Sequence, residues 1–367
     1  MSPCVSGSSI RRDYPALTAI RGIAAWWVVL YHFRVELGLQ TWPIFQAVIA
    51  FGYLAVDLFF IMSGFVIALS YEQNFRSLRQ QSILRFLGYR LARIYPLHLV
   101  VMILFLANPI AIALFSSKGT VGDRYDIGYY FESLFLIQNW GFSDISGWNY
   151  PAWSISTEWA AYLIFPIMAW CSVRVLTNLR NIATVILVVG AALMVFSARA
   201  GGLGNDIPRI GLARCLLEFS IGICLLKFWA LYRLGPSVAN VVSIAAIAML
   251  VIGAAMGVPD YVYAPWGLAL LIVSLLCDTA ILTRLLNNPV LISIGKVSYS
   301  TYMIHYLVKD WVKFTIEKPS VPSIVPFFIY VLCVAAASVV LYRFVELPGR
   351  IVGRKLTDRL LHHRHAA

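Results

Sequence analysis

Long apolar runs separated by short basic connectors make up most of the chain. Ten runs lie near or beyond the roughly 20 residues a helix needs to cross a hydrocarbon core. They are Ala16–Phe33, Val48–Tyr71, Ile94–Phe115, Ser154–Cys171, Asn181–Ala198, Ile210–Phe228, Val238–Met256, Tyr263–Leu282, Val297–Trp311 and Ser323–Tyr342. A soluble core would break such runs into one-sided amphipathic stripes. The pattern predicts an all-α fold, a polytopic transmembrane helix bundle of about ten spans, with the lipid bilayer as its first partner. A long connection, Ser116–Trp153, separates the third and fourth runs. Its apolar stretch Tyr129–Ile137 is too short to cross and predicts an interfacial or re-entrant segment.

Composition agrees with that pattern. The chain is 60% hydrophobic and 13% charged, with a mean hydropathy of +0.78; a soluble chain carries about 25% charged residues. The net charge of +12 does not point to nucleic acid, because the cations fall between the apolar runs. With the N-terminus inside, most cations share its side. They include Arg11, Arg12, the arginines from Arg76 to Arg93, and the tail cations from Arg343 to Arg364. Arg34, Lys118, Arg124 and Lys318 are among the fewer on the other side. The positive-inside rule then puts both termini in the cytoplasm. Arg11-Arg12 resembles a twin-arginine signal only faintly. The run behind it carries Arg21 and Trp26-Trp27 and lacks a small-residue cleavage site, so it reads as a retained first helix. Cys4, Cys171, Cys215, Cys224, Cys277 and Cys333 show no ligand spacing and read as small hydrophobes, with no metal site expected. The His/Arg-rich end, Leu361 to His365, reads as a solvated, lipid-facing cationic terminus.

Ionisable groups inside membrane helices are costly and usually functional. Arg21 and His32 lie in the first span, on one face and about 16 Å apart along the axis. A guanidinium can hold phosphate or carboxylate bidentately, and an imidazole can take a proton from a hydroxyl near neutral pH. The bland alternative is an arginine snorkelling to lipid phosphate and a histidine capping the interface. Glu158 sits one turn into its span at a depth like that of His32, where a carboxylate could orient the imidazole. The bland alternative is a helix N-terminal acid behind a Ser154 cap, and the shared depth favours the functional reading. Asp57 needs a partner inside the bundle, with Arg21 or Arg214 expected. Arg214 and Glu218, four apart, form a self-satisfied pair by default. His305 either bridges helices or lines a tunnel. The segment from Glu72 to Arg93 carries arginine and no lysine. Positive-inside alone could explain it, but arginine also suits bidentate recognition of phosphates on an anionic ligand.

These residues fall into motifs in a recognisable order. Arg21-Gly22-Ile23-Ala24-Ala25 leads to Tyr31-His32-Phe33, an R-x10-H arrangement. Val56-Asp57-Leu58-Phe59-Phe60 through Ser63-Gly64-Phe65 follows, then the R-x-x-R of Arg90 and Arg93, then Trp153-Ser154 with Glu158. Gly295-Lys296-Val297-Ser298-Tyr299, with Tyr302 and His305, comes next, and Glu346-Leu347-Pro348 closes the set. In this order, along nearly the whole chain, they resemble the acyltransferase-3 family of integral membrane O-acyltransferases. Leu347 departs from the basic residue often found there in the family.

The resemblance implies transfer of an acyl group, acetyl above all, from cytoplasmic acyl-CoA to a hydroxyl of a cell-surface or secreted carbohydrate at the extracytoplasmic face. It implies His32 as general base or transient acyl carrier, with Glu158 supporting it and Arg21 guiding the pantetheine arm. Arg90 and Arg93 would hold the CoA phosphates, while Asp57, Ser63, Tyr299 and His305 line or brace a tunnel. Residues 1–350 would form the transmembrane acyltransferase domain and 351–367 a basic cytoplasmic tail, in a bacterial inner membrane. The sequence ends soon after the tenth span, so the expectation is that this domain meets its acceptor directly, with Trp140, Trp148 and Tyr150 as candidate sugar platforms. Acetyl, succinyl and longer acyl groups are all open. The rival readings are a transporter or flippase, which would show inverted repeats, and an assembly subunit indifferent to loss of His32.

Overall fold

The structure, a computed structural model, describes residues 14–35, 43–115, 122–316 and 324–366. Cys4, Arg11, Arg12, Lys118 and Lys318 lie outside the described residues, as do the side chains beyond His362. Among the described residues the chain is helical, without strands. The helices are α1 (Pro15–Phe33), α2 (Pro43–Ala50), α3 (Ala55–Tyr71), α4 (Gln80–Phe105), α5 (Ala107–Phe115), α6 (Ile127–Leu134), α7 (Trp153–Val175) and α8 (Leu179–Ala200). They continue as α9 (Ile207–Leu231), α10 (Pro236–Ala255), α11 (Asp260–Ser274), α12 (Ile281–Leu286), α13 (Pro289–Thr315), α14 (Ile324–Leu341) and α15 (Leu347–Ala366).

Among the described residues, six segments are long and apolar enough to cross a membrane: Pro15–Phe33, Pro43–Phe75, Gln80–Phe115, Leu179–Ala200, Pro236–Ala255 and Ile324–His362. The expected spans on α7, α9 and α13 are long helices, but they carry Glu158, Arg214, Glu218, His305 and Lys309, which lower their hydropathy. Membrane proteins keep such groups off the lipid and inside the bundle, and α9 buries Arg214 and Glu218 accordingly. The expected span Tyr263–Leu282 stops as α11 at Ser274 and resumes as the short α12. The expected span from Ile94 begins about four turns earlier, because α4 extends back to Gln80 and presents the R-x-x-R segment as helix.

Glycine decides where helices meet most closely. A Cβ on Gly64 of α3 would stand 2.0 Å from the Phe219 carbonyl oxygen of α9, and one on Gly222 would stand 2.0 Å from the Ile61 carbonyl oxygen. Close backbone approach through small residues is how membrane helices gain packing without a hydrophobic drive. The same device joins α1 to α13 through Gly22 and Gly295. The tail is ordered: α15 docks on α4, with Gly349 against Pro96, Gly353 against Ala92, and Tyr89 donating to Asp358. The boundary expected at residue 350 therefore falls inside a helix.

Candidate active site

The α1–α13 crossing brings two of the sequence motifs into direct contact. A Cβ on Gly295 would lie 1.9 Å from the Thr18 carbonyl oxygen, so the backbones touch there. Arg21, next to the crossing, donates from Nε to the Ser298 hydroxyl at 3.1 Å and from Nη2 to the Gly295 carbonyl at 3.2 Å. The two helices then run on together. His32 follows Arg21 by eleven residues, about 16 Å along the axis, and there meets His305 of α13.

At that end four rings surround the imidazole, those of His305, Tyr306, Tyr150 and the adjacent Tyr31. The His32 and His305 ring centres are 5.2 Å apart at 34°. Tyr306 meets His32 edge-on at 5.3 Å, and Tyr150 does so at 6.1 Å. His305 is fully buried, with Nδ1 2.6 Å from the Tyr302 carbonyl and Nε2 without a hydrogen-bond partner. A carbonyl only accepts, so Nδ1 carries the proton and Nε2 presents a lone pair. Lys309 and Arg34 are cations whose fields reach His32.

At the Arg21 end the R-x-x-R pair divides. Arg93 forms an ion pair with Glu346, whose other oxygen accepts from the Ser300 hydroxyl at 2.7 Å. Its guanidinium also sits 5.5 Å from the Tyr299 ring centre, and the Tyr299 hydroxyl donates to the Ile94 carbonyl. Arg90 lies over the rings of Tyr71 and Tyr162, at 5.5 Å from each, and its Nε is buried without a partner. Arg350 stands in the field of Arg93, Arg354, Arg90 and Glu346, and Arg21 in that of Arg93, Glu346 and Glu158. The cations outnumber the carboxylates at this end, an arrangement that suits an anion.

The other expected residues are placed differently. Among the described residues, Glu158 and His32 form no hydrogen bond or ion pair. Glu158 accepts from Ser63 at 2.5 Å, with the Tyr162 phenol in hydrogen-bonding reach of both. Equal depth on two helices does not fix which way each side chain points. Ser154 does not cap α7; Ala152 holds that position, and the Ser154 hydroxyl bonds to Pro151 and Tyr302. Asp57 takes both nitrogens of Arg214, at 2.8 and 2.6 Å, so Arg214 pairs across helices rather than with Glu218. This pair is fully buried and braces α3 against α9. The indoles of Trp140 and Trp148 donate to the backbone at Ser156 and Asp126, which leaves Tyr150 as the aromatic of that connection facing His32.

Sequence reasoning left Glu346 in the tail and passed over Tyr162, Tyr306 and Arg124. Glu346 was visible as a motif residue, but the π-helical turn Tyr342–Glu346 that turns it inward has no local sequence signature. On the His32 side, Tyr306 also forms a wall of a cavity of about 410 Å³ shared with Asn108, Arg124, Tyr125, Lys309 and Asp310.

Comparison with known proteins adds a consistent picture. The signature of an acyltransferase domain, that of the acyltransferase-3 family, matches residues 14–343. Acyltransferase MdmB of Streptomyces mycarofaciens is 29% identical over 328 residues, which cover 80% of this chain and 78% of that protein. O-acetyltransferase OatA of Staphylococcus aureus (strain NCTC 8325 / PS 47) is 23% identical over 370 residues, covering 94% of this chain. The chain spans 58% of that staphylococcal relative's length. No solved structure matches the chain.

Proposed function

The chain belongs to the acyltransferase-3 family, and from that premise we propose that it moves an acyl group, acetyl first, from acyl-CoA across a membrane to a carbohydrate hydroxyl. The observation that carries this reading is the pairing of two polar clusters along one helix pair. Arg21, Ser298 and Gly295 meet at one end of α1 and α13, and His32, His305 and Tyr306 at the other. An extended pantetheine arm can bridge such a separation, with its phosphates among the arginines and its thioester beside His32.

In this reading Arg90 and Arg350 take the nucleotide phosphates, with Arg93 held ready by Glu346. Arg21 steadies the arm. His32 acts at the thioester in one of two ways. As general base it takes the acceptor hydroxyl proton; the oxygen attacks the thioester carbonyl, the C–S bond breaks, and CoA leaves as the thiolate. As acyl carrier its ring nitrogen displaces the CoA thiolate first and then yields the acyl group to the acceptor oxygen. In both, the cations around His32 favour the negative charge that builds on the carbonyl oxygen. His305 supports His32 in the role first given to Glu158: with Nδ1 committed to Tyr302, its Nε2 lone pair can hold a proton of the neighbouring imidazole.

The same reading gives the topology: about ten spans, both termini cytoplasmic, the arginine cluster facing the cytoplasm, and His32 near the outer face of a bacterial inner membrane. Positive-inside charge and the arginine-only Glu72–Arg93 segment support it.

The test is acyl transfer from radiolabelled acetyl-CoA to surface glycan, comparing wild type with His32→Ala at equal membrane abundance. Label that appears with the wild type and is lost with the variant is expected. Equal labelling would remove His32 from the chemistry.

A further inference from the structure

The cavity beside His32 has a composition that selects among acceptors. It opens in part to the surface at the His32 end of the bundle and measures about 410 Å³, within the roughly 300–1,000 Å³ of small-molecule sites. Tyr306 joins it to the chemistry, because one ring both walls the cavity and meets the His32 ring at 5.3 Å. Tyr125 and Trp311 supply further aromatic wall.

The charges in the wall are unequal. Among the described residues, Arg124, Lys309 and Lys313 line it with one carboxylate, Asp310. That carboxylate is already well supplied with donors: Arg124 from two nitrogens, at 3.2 and 2.5 Å, and Asn108 at 3.0 Å. The pairing fixes the guanidinium, whose Nη2 also reaches the Trp148 carbonyl at 3.1 Å. The Arg124 Nε–H is buried and has no acceptor among the described residues. A buried donor without a partner is costly, and charged donors most of all. The Arg124 guanidinium and the Lys309 ammonium both stand over the Tyr306 ring, at 4.9 and 4.6 Å. An anion bound between them would therefore lie against the ring that meets His32.

We propose that this cavity receives the acceptor as an acidic sugar, its ring against Tyr306 and its carboxylate against Arg124 and Lys309. The proposal rests on the acyltransferase reading and gives it a substrate class. Aromatic walls pack on the apolar face of a sugar ring, charge-assisted hydrogen bonds fix a carboxylate, and the two together favour a uronic-acid-type ring over a neutral or amino sugar.

The test is equilibrium binding to the purified full chain in detergent, with digalacturonate and its methyl ester as probes. The ester keeps both rings and removes the charge. Digalacturonate should bind about tenfold more tightly than the ester, the discrimination expected of a charge-assisted contact. That preference should collapse in Lys309→Gln and weaken in the exposed Lys313→Gln, either of which suffices if the other does not fold. Equal binding of acid and ester, binding of neither, or a preference untouched by both variants would overturn the proposal. So would competition by succinate or inorganic phosphate as strong as that of digalacturonate, since the site would then read a bare anion or an acidic acyl group. Acetyl-CoA binding by the same preparation is measured in parallel. Its absence would sink the acyltransferase reading while leaving a digalacturonate preference standing, so the two failures are distinguishable.

Discussion

Arg93 and Glu346, 253 residues apart in the chain, form a partly buried ion pair that ties α4 to the turn before α15. Glu346 is held from its other side by Ser300 of α13, so three elements converge on one carboxylate. In the proposed reaction this carboxylate is the positioning group for an arginine that meets the anionic donor.

Glu346→Gln therefore tests whether Arg93 needs its tether. The amide keeps the Ser300 contact but removes the charge opposite Arg93, and a cation left in a largely buried site costs about 2–3 kcal/mol. The expected result is a lower unfolding temperature in detergent and a higher KM for acetyl-CoA, with kcat little changed. A normal KM in a destabilised variant would make Glu346 a purely structural residue.

The neighbours of His32 yield a ranking. His32→Ala should lower kcat by about 10²- to 10⁴-fold, the usual contribution of a proton-transfer group. His305→Asn should lower kcat more than Glu158→Gln does, because His305 lies 5.2 Å from the imidazole while Glu158 is bonded to Ser63. Steady-state kinetics with all three variants settle the order. A larger loss in Glu158→Gln would return the supporting role to the carboxylate.

Much of this site was legible as motifs and little of it as contacts. Arg21 with His32, and Gly295 with His305, stood out because polar groups in apolar runs are conspicuous, and the structure joins the two motifs across one helix crossing. The requirement that Asp57 find an arginine was also readable, since a lone carboxylate cannot face lipid. The direction of Glu158 was not, because depth along a helix carries no information about azimuth in a neighbouring helix. Glu346 was lost for a different reason. Residues after the last apolar run looked like solvated tail, and the π-helical turn that aims the carboxylate inward depends on packing rather than on residue type. The helices with the least span-like composition, α7, α9 and α13, carry Glu158, Arg214 and His305, while Arg21 and His32 lie on the plainly apolar α1.

The Asp57–Arg214 pair makes a prediction about folding. Both groups are buried and bonded through two nitrogens to two oxygens, and removing one partner of such a pair typically costs about 3–5 kcal/mol. Asp57→Asn should lower the unfolding temperature well beyond Glu346→Gln. The double variant Asp57→Leu with Arg214→Met should recover part of the loss, because an apolar pair leaves no charge stranded. No recovery would mean that the carboxylate also does work beyond pairing, and the buried Glu218 beside it would be the place to look.

The α1–α13 crossing predicts a sharp contrast between glycines. A Cβ on Gly295 would come within 1.9 Å of a backbone oxygen at Thr18, which no side-chain rotation can relieve, so the helices must separate. Separation would stretch the 3.1 and 3.2 Å bonds from Arg21 to Ser298 and Gly295, and it would change how His32 faces His305 one end away. Gly295→Ala should thus lose acyl transfer even where folded protein is recovered, with acetyl-CoA binding weakened as well. Gly235→Ala is the control, since nothing lies within 4 Å of its added carbon and it caps a helix far from the site. Transfer activity normalised to folded protein checks both. Full activity in Gly295→Ala would show that the two motifs work without close contact, and the catalytic assignment of the α1–α13 pair would fall with that result.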